Sequence, residues 1–198
     1  MQSALPSQSA FAQVVRSFEE SLPGKATLVV AASLFVAICA HISLVLPFTP
    51  VPITLQTFAV ILIGMVLGPV AGFSALALYL AEGAAGLPVF NPHEPGGIIH
   101  LIGPNAGFLF SYPLVAAVAG WVTRGLSSVE SRFTRAVAAG VAASVVVFAF
   151  GAGWLAHFAH LSAPAAWHLA IAPFLPAEAI KITAAAGIFS SLQRWTRA

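Results

Sequence analysis

The segment Pro176-Ala-Glu-Ala-Ile-Lys-Ile-Thr-Ala-Ala-Ala-Gly187 is apolar apart from two opposite charges and one threonine. Glu178 and Lys181 stand three residues apart, so a helix places both side chains on one face, about 5 to 6 Å apart at Cβ. Charges at membrane depth are costly and are retained mainly where they bind, relay or coordinate something. In a membrane helix the pair is therefore a candidate binding site. The alternative is a helix-stabilising ion pair with Lys181 snorkelling to the interface.

The composition of the whole chain predicts a membrane protein. Hydrophobic residues make up 59% of the 198 residues, charged residues only 7%, and the mean hydropathy is +0.95. An ordinary soluble domain carries about 25% charged residues. The single cysteine, Cys39, excludes a disulfide framework and a multi-cysteine metal site. The net charge of only +2 argues against a nucleic-acid partner.

The apolar segments predict an all-α fold, an integral membrane bundle of six transmembrane helices. Each helix needs about 20 apolar residues to cross a membrane, and residues 25–198 form a single domain of such helices. The junction Gly68-Pro69 predicts a very tight turn between the second and third. Residues 1–24 form either an amphipathic helix on the membrane surface or a partly disordered tail. The six segments are 26–46, 53–68, 69–87, 105–125, 133–159 and 174–193.

The distribution of basic residues predicts the orientation, because Lys and Arg are enriched in cytoplasmic loops. With both termini cytoplasmic, the three outer loops, near 47–52, 88–104 and 160–173, contain neither residue. Of the eight basic residues, seven agree with this topology and the eighth is Lys181. Lys181 is therefore unlike the others and is not a topology signal. The seven are Arg16, Lys25, Arg124, Arg132, Arg135, Arg194 and Arg197.

Polar residues gather on the outer side and predict a pocket there. Pro173 and Pro176 break a helix, so the last helix is expected to begin near Pro176, with Glu178 in its first turn. The loop 86–97 is rich in Pro and Gly and is expected to act as a lid over the pocket. Thr54 and Gln56 are pocket candidates, although they could only cap a helix start after Pro52. The other polar residues on this side are Thr49, Asn91, His93, Glu94, His100 and Asn105.

A small membrane enzyme or haem protein using His157, His160 and Glu178 is the alternative from a different class of protein. However, the chain contains no His-Glu-x-x-His motif, no Gly-x-Ser-x-Gly elbow and no Walker-type phosphate loop. It is therefore predicted not to be an enzyme and to hold no metal and no other cofactor. It cannot hydrolyse ATP, so any pumping must draw energy from a partner or an ion gradient.

Five stretches resemble the BioY family, the biotin-specific substrate-capture (S) component of energy-coupling-factor (ECF) transporters. The acidic position of the family is typically Asp, where this chain has Glu178. Asn105-Ala106 stands where Thr-Gly is usual and Phe108 where Tyr is usual, and His100 is the substitute for a basic lid residue. The stretches are Ala40-His-Ile-Ser43 leading to Leu46-Pro-Phe-Thr-Pro-Val-Pro-Ile-Thr-Leu-Gln56, Gly64 to Gly68, Leu78-Tyr-Leu80 with Gly83 to Phe90, Leu101-Ile-Gly-Pro104 with Gly107, and Pro173-Phe-Leu-Pro-Ala-Glu-Ala-Ile-Lys181.

The resemblance implies an outward, loop-capped pocket that captures biotin for uptake. Glu178 would accept hydrogen bonds from the ureido group of biotin and Lys181 would donate one. Asn91 and Gln56 would complete the polar set, and the bicyclic ring would pack on aromatic walls. Capture of another vitamin is the alternative within transport. The predicted substrate-binding residues are Glu178, Lys181, Asn91, Gln56, Thr54, Phe90, Tyr79, His100 and Trp154.

The resemblance also implies partners and a location. Its members work with a transmembrane coupling protein and two cytoplasmic ATPases, in contact with the lipid of the bacterial cytoplasmic membrane. Ser33, Ala37 and Ala40 form a small-xxx-small stripe on the first helix that lets another helix approach closely. The stripe serves either to dock a partner or to pack within the chain, and the sequence favours neither.

Overall fold

A computed structural model describes residues 21–195, and nearly all of the regular structure in that range is helical. The predicted tail or surface helix at 1–24 lies, up to residue 20, outside the described residues. Two short 3-10 helices occur at Gly97–Ile102 and Ala172–Phe174. The α-helices are α1 Leu22–His41, α2 Gln56–Leu67, α3 Pro69–Ala84, α4 Ala106–Gly125, α5 Arg132–Phe158, α6 Ala163–Ala170 and α7 Leu175–Trp195.

Four helical stretches of the described residues are long and apolar enough to cross a membrane, judged by length and composition. They are Leu22–His41, Ala106–Gly125, Arg132–Phe158 and the stretch Ala163–Arg194 that contains α6 and most of α7. The helices α2 and α3 are apolar but shorter, with 12 and 16 residues. The chain is therefore a helical, multi-pass membrane protein.

The first helix lies earlier in the chain than the predicted segment 26–46. The helix begins at Leu22, because the Ser21 hydroxyl caps it by accepting a hydrogen bond from the Gly24 N–H at 3.1 Å. After His41 the backbone is extended: β1, Ser43–Leu44, pairs antiparallel with β2, Ile53–Thr54. This short ladder is a β element in a chain predicted to be all-α.

A second correction concerns the predicted outer loop 160–173, which contains the eight-residue helix α6. The helix follows Ser162, and Pro164 falls in its first turn, where the missing N–H of proline costs nothing. The prediction that the last helix places Glu178 in its first turn is confirmed, with the start at Leu175.

The predicted tight turn at Gly68-Pro69 is confirmed. Gly68 has a φ of 84° and ends α2, and Pro69 opens α3. A residue with a side chain would be strained at this φ. The connection makes α2 and α3 an antiparallel hairpin, and both helices pack on α4, which also contacts α5 along its length.

The up-and-down order of the helices gives the bundle two distinct ends. The end at which α1, α3 and α5 finish and α2, α4 and α7 begin is called the cavity end below. The Lys and Arg residues in the first or last turns of the long helices lie at the opposite end. They are Lys25, Arg124, Arg132, Arg135 and Arg194.

The small-residue stripe of α1 is buried, as expected for the alternative in which it packs within the chain. Ser33, Ala37 and Ala40 are all buried. The helix packs on α3, where the Ser33 hydroxyl lies 3.1 Å and 3.0 Å from the two carboxylate oxygens of Glu82. The small side chains let α1 approach α3 closely, so their surface is already occupied.

Candidate functional site

A loop-capped cavity lies between the helices at the cavity end. The space between its lining residues amounts to about 550 Å³, a figure that includes the open mouth. Its helical part is formed by α2, α4, α5 and α7, and its other part by the loops before α2 and α4. The lining residues are Val51, Pro52, Thr54, Gln56, Thr57, Asn91, Glu94, His100, Asn105, Phe108, Leu109, Tyr112, Val147, Phe148, Phe174, Glu178 and Lys181.

The charged pair on α7 lines the helical part of the cavity. Lys181 Nζ lies 3.4 Å from Glu178 Oε2, and the two side chains are 9% and 5% exposed. The Thr57 hydroxyl of α2 links them: Oγ1 accepts a hydrogen bond from Lys181 Nζ at 2.9 Å and donates to Glu178 Oε2 at 3.1 Å. The Ser144 hydroxyl of α5 donates to the other carboxylate oxygen at 2.8 Å. Three helices therefore hold this carboxylate in place.

The ammonium group of Lys181 retains hydrogen-bonding capacity. An ammonium has three N–H donors. In the described structure two of them point to Thr57 and Glu178. One donor is thus left for a molecule in the cavity. A buried charge pair that already balances itself can bind a polar, uncharged group without burying a new net charge.

A second network fixes Gln56 at the start of α2. The Gln56 amide donates from Nε2 to the Tyr79 hydroxyl at 2.7 Å, and that hydroxyl donates to the Val89 carbonyl at 3.0 Å. Gln56 Oε1 accepts from the Thr54 hydroxyl at 3.1 Å and from the Tyr112 hydroxyl at 3.4 Å. The network ties α2, α3, α4 and the lid together, so Gln56 and Thr54 are held rigidly at the cavity wall.

Two asparagines carry unpaired polar atoms at the loop-lined part of the cavity. Asn91 Nδ2 and Asn105 Oδ1 are buried and have no hydrogen-bond partner among residues 21–195. The partners of the other amide atom fix both orientations. Asn91 Oδ1 accepts from the His93 N–H at 3.2 Å, and Asn105 Nδ2 donates to the Pro50 carbonyl at 3.3 Å. One free donor and one free acceptor therefore line the cavity.

None of the three aromatic residues predicted to form a wall lines the cavity. Tyr79 and Phe90 are buried behind its lining residues and pack edge to face with ring centroids 5.3 Å apart. Trp154 lies outside the cavity, where its Nε1–H donates to the Gly103 carbonyl at 2.9 Å. The aromatic rings that line the cavity are instead those of Phe108, Tyr112, Phe148 and Phe174.

The structure does not bring together the residues of the alternative haem or enzyme site. His157 and His160 are exposed at the end of α5, whereas Glu178 is buried in the cavity. Among residues 21–195, no three His, Cys, Asp or Glu side chains are grouped closely enough to hold a metal ion.

Sequence reasoning missed the two hydroxyl partners of the charged pair. Thr57 follows Gln56 directly, and Ser144 is the one serine within α5. A hydroxyl in the middle of an apolar membrane helix is a signal that could have indicated Ser144. No signal in the sequence distinguished Thr57 from a capping residue.

The fold and the cavity define a class: a helical membrane protein with a loop-capped polar pocket for a small molecule. A family model described as "BioY family" matches residues 12–198. The chain belongs to the BioY family.

Several proteins that are similar to this chain are named as biotin transporters. A "Probable biotin transporter BioY" of Pyrococcus horikoshii is 36% identical over 172 residues, covering 85% of this chain and 98% of that protein. The "Biotin transporter BioY" of Thermotoga maritima is 37% identical over 149 residues, covering 75% and 85%. The "Biotin transporter BioY" of Rhizobium etli is 36% identical over 166 residues, covering 79% and 88%.

The fold is also found in a solved structure. The crystal structure of the S-component for biotin from an ECF-type ABC transporter superposes with a TM-score of 0.77 at 22% sequence identity. The match covers 86% of this chain and 90% of the other. The two chains therefore share the same helical fold.

Proposed function

We propose that this protein captures biotin as the substrate-specific component of an ECF transporter and so serves biotin uptake across the bacterial cytoplasmic membrane. The observation that carries the proposal is the buried pair Glu178 and Lys181 in a loop-capped cavity. The names of the similar proteins support biotin as the ligand. The ligand crosses the membrane chemically unchanged, so the role is not that of an enzyme.

The ureido group of biotin is matched to the charged pair. It offers two N–H donors and one carbonyl acceptor. The Glu178 carboxylate accepts from an N–H, and the remaining donor of Lys181 binds the carbonyl. Asn91 adds its unpaired Nδ2 donor, while Gln56 and Thr54 hold the wall in shape. Charge-assisted hydrogen bonds in a closed pocket make the capture tight.

The cavity opens to the outside of the cell in this proposal. Lys25, Arg124, Arg132, Arg135 and Arg194 lie at the end opposite the cavity, and basic residues favour the cytoplasmic side. Residues 25–198 then cross the membrane six times as one domain, with α2 and α3 as the short spans and both termini in the cytoplasm.

The partners proposed for energising uptake are a transmembrane coupling protein and two cytoplasmic ATPase subunits. The similar S-component comes from an ECF-type ABC transporter. This chain has no phosphate-binding loop of the Walker type. Energy from ATP must therefore come from another subunit. We do not assign their attachment to the stripe of Ser33, Ala37 and Ala40, because these residues are buried within the chain.

Calorimetric titration of the detergent-purified protein tests the proposal. Biotin is expected to give saturable one-to-one binding, and riboflavin and thiamin no heat above dilution, because their ring systems do not present the ureido pattern. Folded protein that ignores biotin, or that binds a control vitamin instead, contradicts the assignment of the ligand.

A threonine-to-valine exchange tests the geometry of the pair. Thr57→Val keeps the side-chain shape but removes the hydroxyl that joins Lys181 to Glu178. Biotin affinity is expected to fall by roughly 10- to 150-fold, because a hydrogen bond to a charged group contributes about 1.5–3 kcal/mol. The matched control is Thr27→Val, since Thr27 is exposed on α1 and its hydroxyl donates to the Pro23 carbonyl. Equal affinities of the two variants, measured by the same titration, would remove Thr57 from the site.

A further inference from the structure

The loop-lined part of the cavity holds a polar cluster that the ureido group does not use. Glu94 and His100 come from the segment between α3 and α4, and Asn105 directly precedes α4. Asn105 Nδ2 donates to Glu94 Oε1 at 2.6 Å, and His100 Nε2 lies 3.5 Å from Glu94 Oε2. All three residues line the cavity. The side chain of His100 is 3% exposed and that of Glu94 is 17% exposed.

The contacts of His100 show that this pair carries a proton. Its Nδ1 lies 3.1 Å from the Pro95 carbonyl oxygen, which only accepts, so Nδ1 is protonated. A neutral ring would then turn the lone pair of Nε2 toward the Glu94 carboxylate, which is repulsive. The contact is favourable when a proton sits on Nε2 or on Glu94. Burial raises the pKa of Glu94, opposed by His100 and by the hydrogen bond from Asn105.

The charges that line the cavity therefore sum to zero. The Glu94 and His100 pair is neutral as a unit, and Glu178 balances Lys181. The other titratable group of the lining is Tyr112, a neutral phenol, and His93 beside the cluster is exposed. The loop 88–104, which contains most of the lid, has no Lys or Arg. No surplus cation of the described lining is left to receive an anionic tail.

The unpaired atom of the cluster is an acceptor. Asn105 Oδ1 is buried, has no hydrogen-bond partner among the described residues, and belongs to a residue that is 6% exposed. Its orientation is fixed, because its Nδ2 donates to the Pro50 carbonyl and to Glu94. An unpaired buried acceptor costs free energy until a donor reaches it. A carboxylate has no donor, whereas a primary carboxamide has two and a protonated carboxyl group has one.

We propose that the cluster of Glu94, His100 and Asn105 selects a neutral, hydrogen-bond-donating tail on the ligand, either a carboxamide or a carboxylic acid that binds with uptake of one proton. The inference rests on the proposed function, which places the ureido ring at Glu178 and Lys181 and thereby directs the aliphatic tail toward the loops. A carboxyl group with an ordinary pKa of about 4 to 5 is ionised in solution at neutral pH. Its binding in the acid form must therefore become weaker as the pH rises.

The test compares biotin with its primary amide on the detergent-purified full chain. Between pH 5.5 and 7.5 the dissociation constant of biotin is expected to rise about tenfold per pH unit, as uptake of one proton requires. That of the amide is expected to stay constant within about twofold, and at pH 7.5 the amide should bind at least about tenfold more tightly than biotin. Titrations in buffers of different ionisation enthalpy count the proton directly.

Glu94→Gln separates the cluster from the rest of the cavity. The exchange removes the carboxylate that balances the positive charge of His100, so biotin binding at pH 7.5 is expected to improve relative to the amide and to lose most of its pH dependence. His93→Gln, on the same loop but exposed, is the control and should behave like the unchanged protein. The same pH series on both variants measures the effect.

Two results are decisive against the inference. It is overturned if biotin binds with a dissociation constant independent of pH and without proton uptake, or binds more tightly than its amide at pH 7.5. If neither compound binds folded protein at any pH, the proposed biotin capture itself fails. The two failures are thus distinguished within one set of titrations.

Discussion

Replacing Lys181 with alanine is expected to lower the affinity for biotin by about 2–5 kcal/mol, roughly 30-fold to several thousand-fold. The change removes the donor for the ligand and also leaves the Glu178 carboxylate buried without its cation. The two hydroxyl donors from Thr57 and Ser144 remain, but they do not neutralise its charge. Calorimetric titration, or competition with labelled biotin where heats are too small, measures the loss.

Two further variants keep this experiment interpretable. Thr183→Ala lies on the same helix, removes an exposed hydroxyl that bonds the Ala179 carbonyl, and should bind biotin normally.

Breaking a buried pair on one side can cost about 3–5 kcal/mol of stability. The double exchange Glu178→Gln with Lys181→Met therefore removes both charges at nearly constant volume. It is expected to fold and not to bind. Unchanged affinity in Lys181→Ala would reduce the pair to a helix-stabilising contact.

Replacing Gly64 with alanine is expected to have the largest effect on stability. A Cβ at this position would overlap the backbone of Ala116 on α4, with its carbonyl carbon and Cα both at 2.9 Å. Backbone atoms cannot move aside as a side chain can, so α2 and α4 must separate. Overpacking of this kind costs about 1–3 kcal/mol and occasionally more, and we expect a value near 3 kcal/mol. Unfolding of the purified protein in mixed micelles with increasing dodecyl sulfate measures the change.

Gly153→Ala is the matched control. Gly153 lies within α5, and a Cβ there would have no heavy atom within 4 Å. Alanine is favoured over glycine in a helix by about 1 kcal/mol, so this variant should be as stable as the unchanged protein or more so. If Gly64→Ala unfolds at the same detergent fraction as Gly153→Ala, the close approach of α2 and α4 does not limit stability.

Much of the helical architecture follows from local sequence. Long apolar segments predict membrane helices, and the Gly68-Pro69 junction predicts the hairpin of α2 and α3, because a positive φ and a proline N-terminus both mark a break. The short helix α6 and the ladder of β1 and β2 were missed. Each is stabilised by contacts with neighbouring elements, and elements of two to eight residues leave little periodic pattern in the sequence.

The candidate site was predictable where chemistry is unusual for its surroundings. Glu178, Lys181, Asn91, Gln56, Thr54 and His100 stand out as polar or charged residues near apolar segments, and all line the cavity. Aromatic residues are frequent throughout the chain, so type alone does not show which ring faces a pocket. The prediction that Tyr79, Phe90 and Trp154 form the aromatic wall was therefore wrong. The rings that line the cavity are those of Phe108, Tyr112, Phe148 and Phe174.

The sequence by itself determined the membrane class and the shared face of Glu178 and Lys181, because composition and a spacing of three residues are local properties of a helix. Only the tertiary structure decided what surrounds that pair. Thr57 is 121 residues from Glu178 along the chain and Ser144 is 34 residues from it. The tertiary structure also decided that the small-residue stripe of α1 faces inward and that Asn105 keeps an unpaired acceptor. Contacts between distant segments depend on how whole helices pack, and no local pattern specifies them.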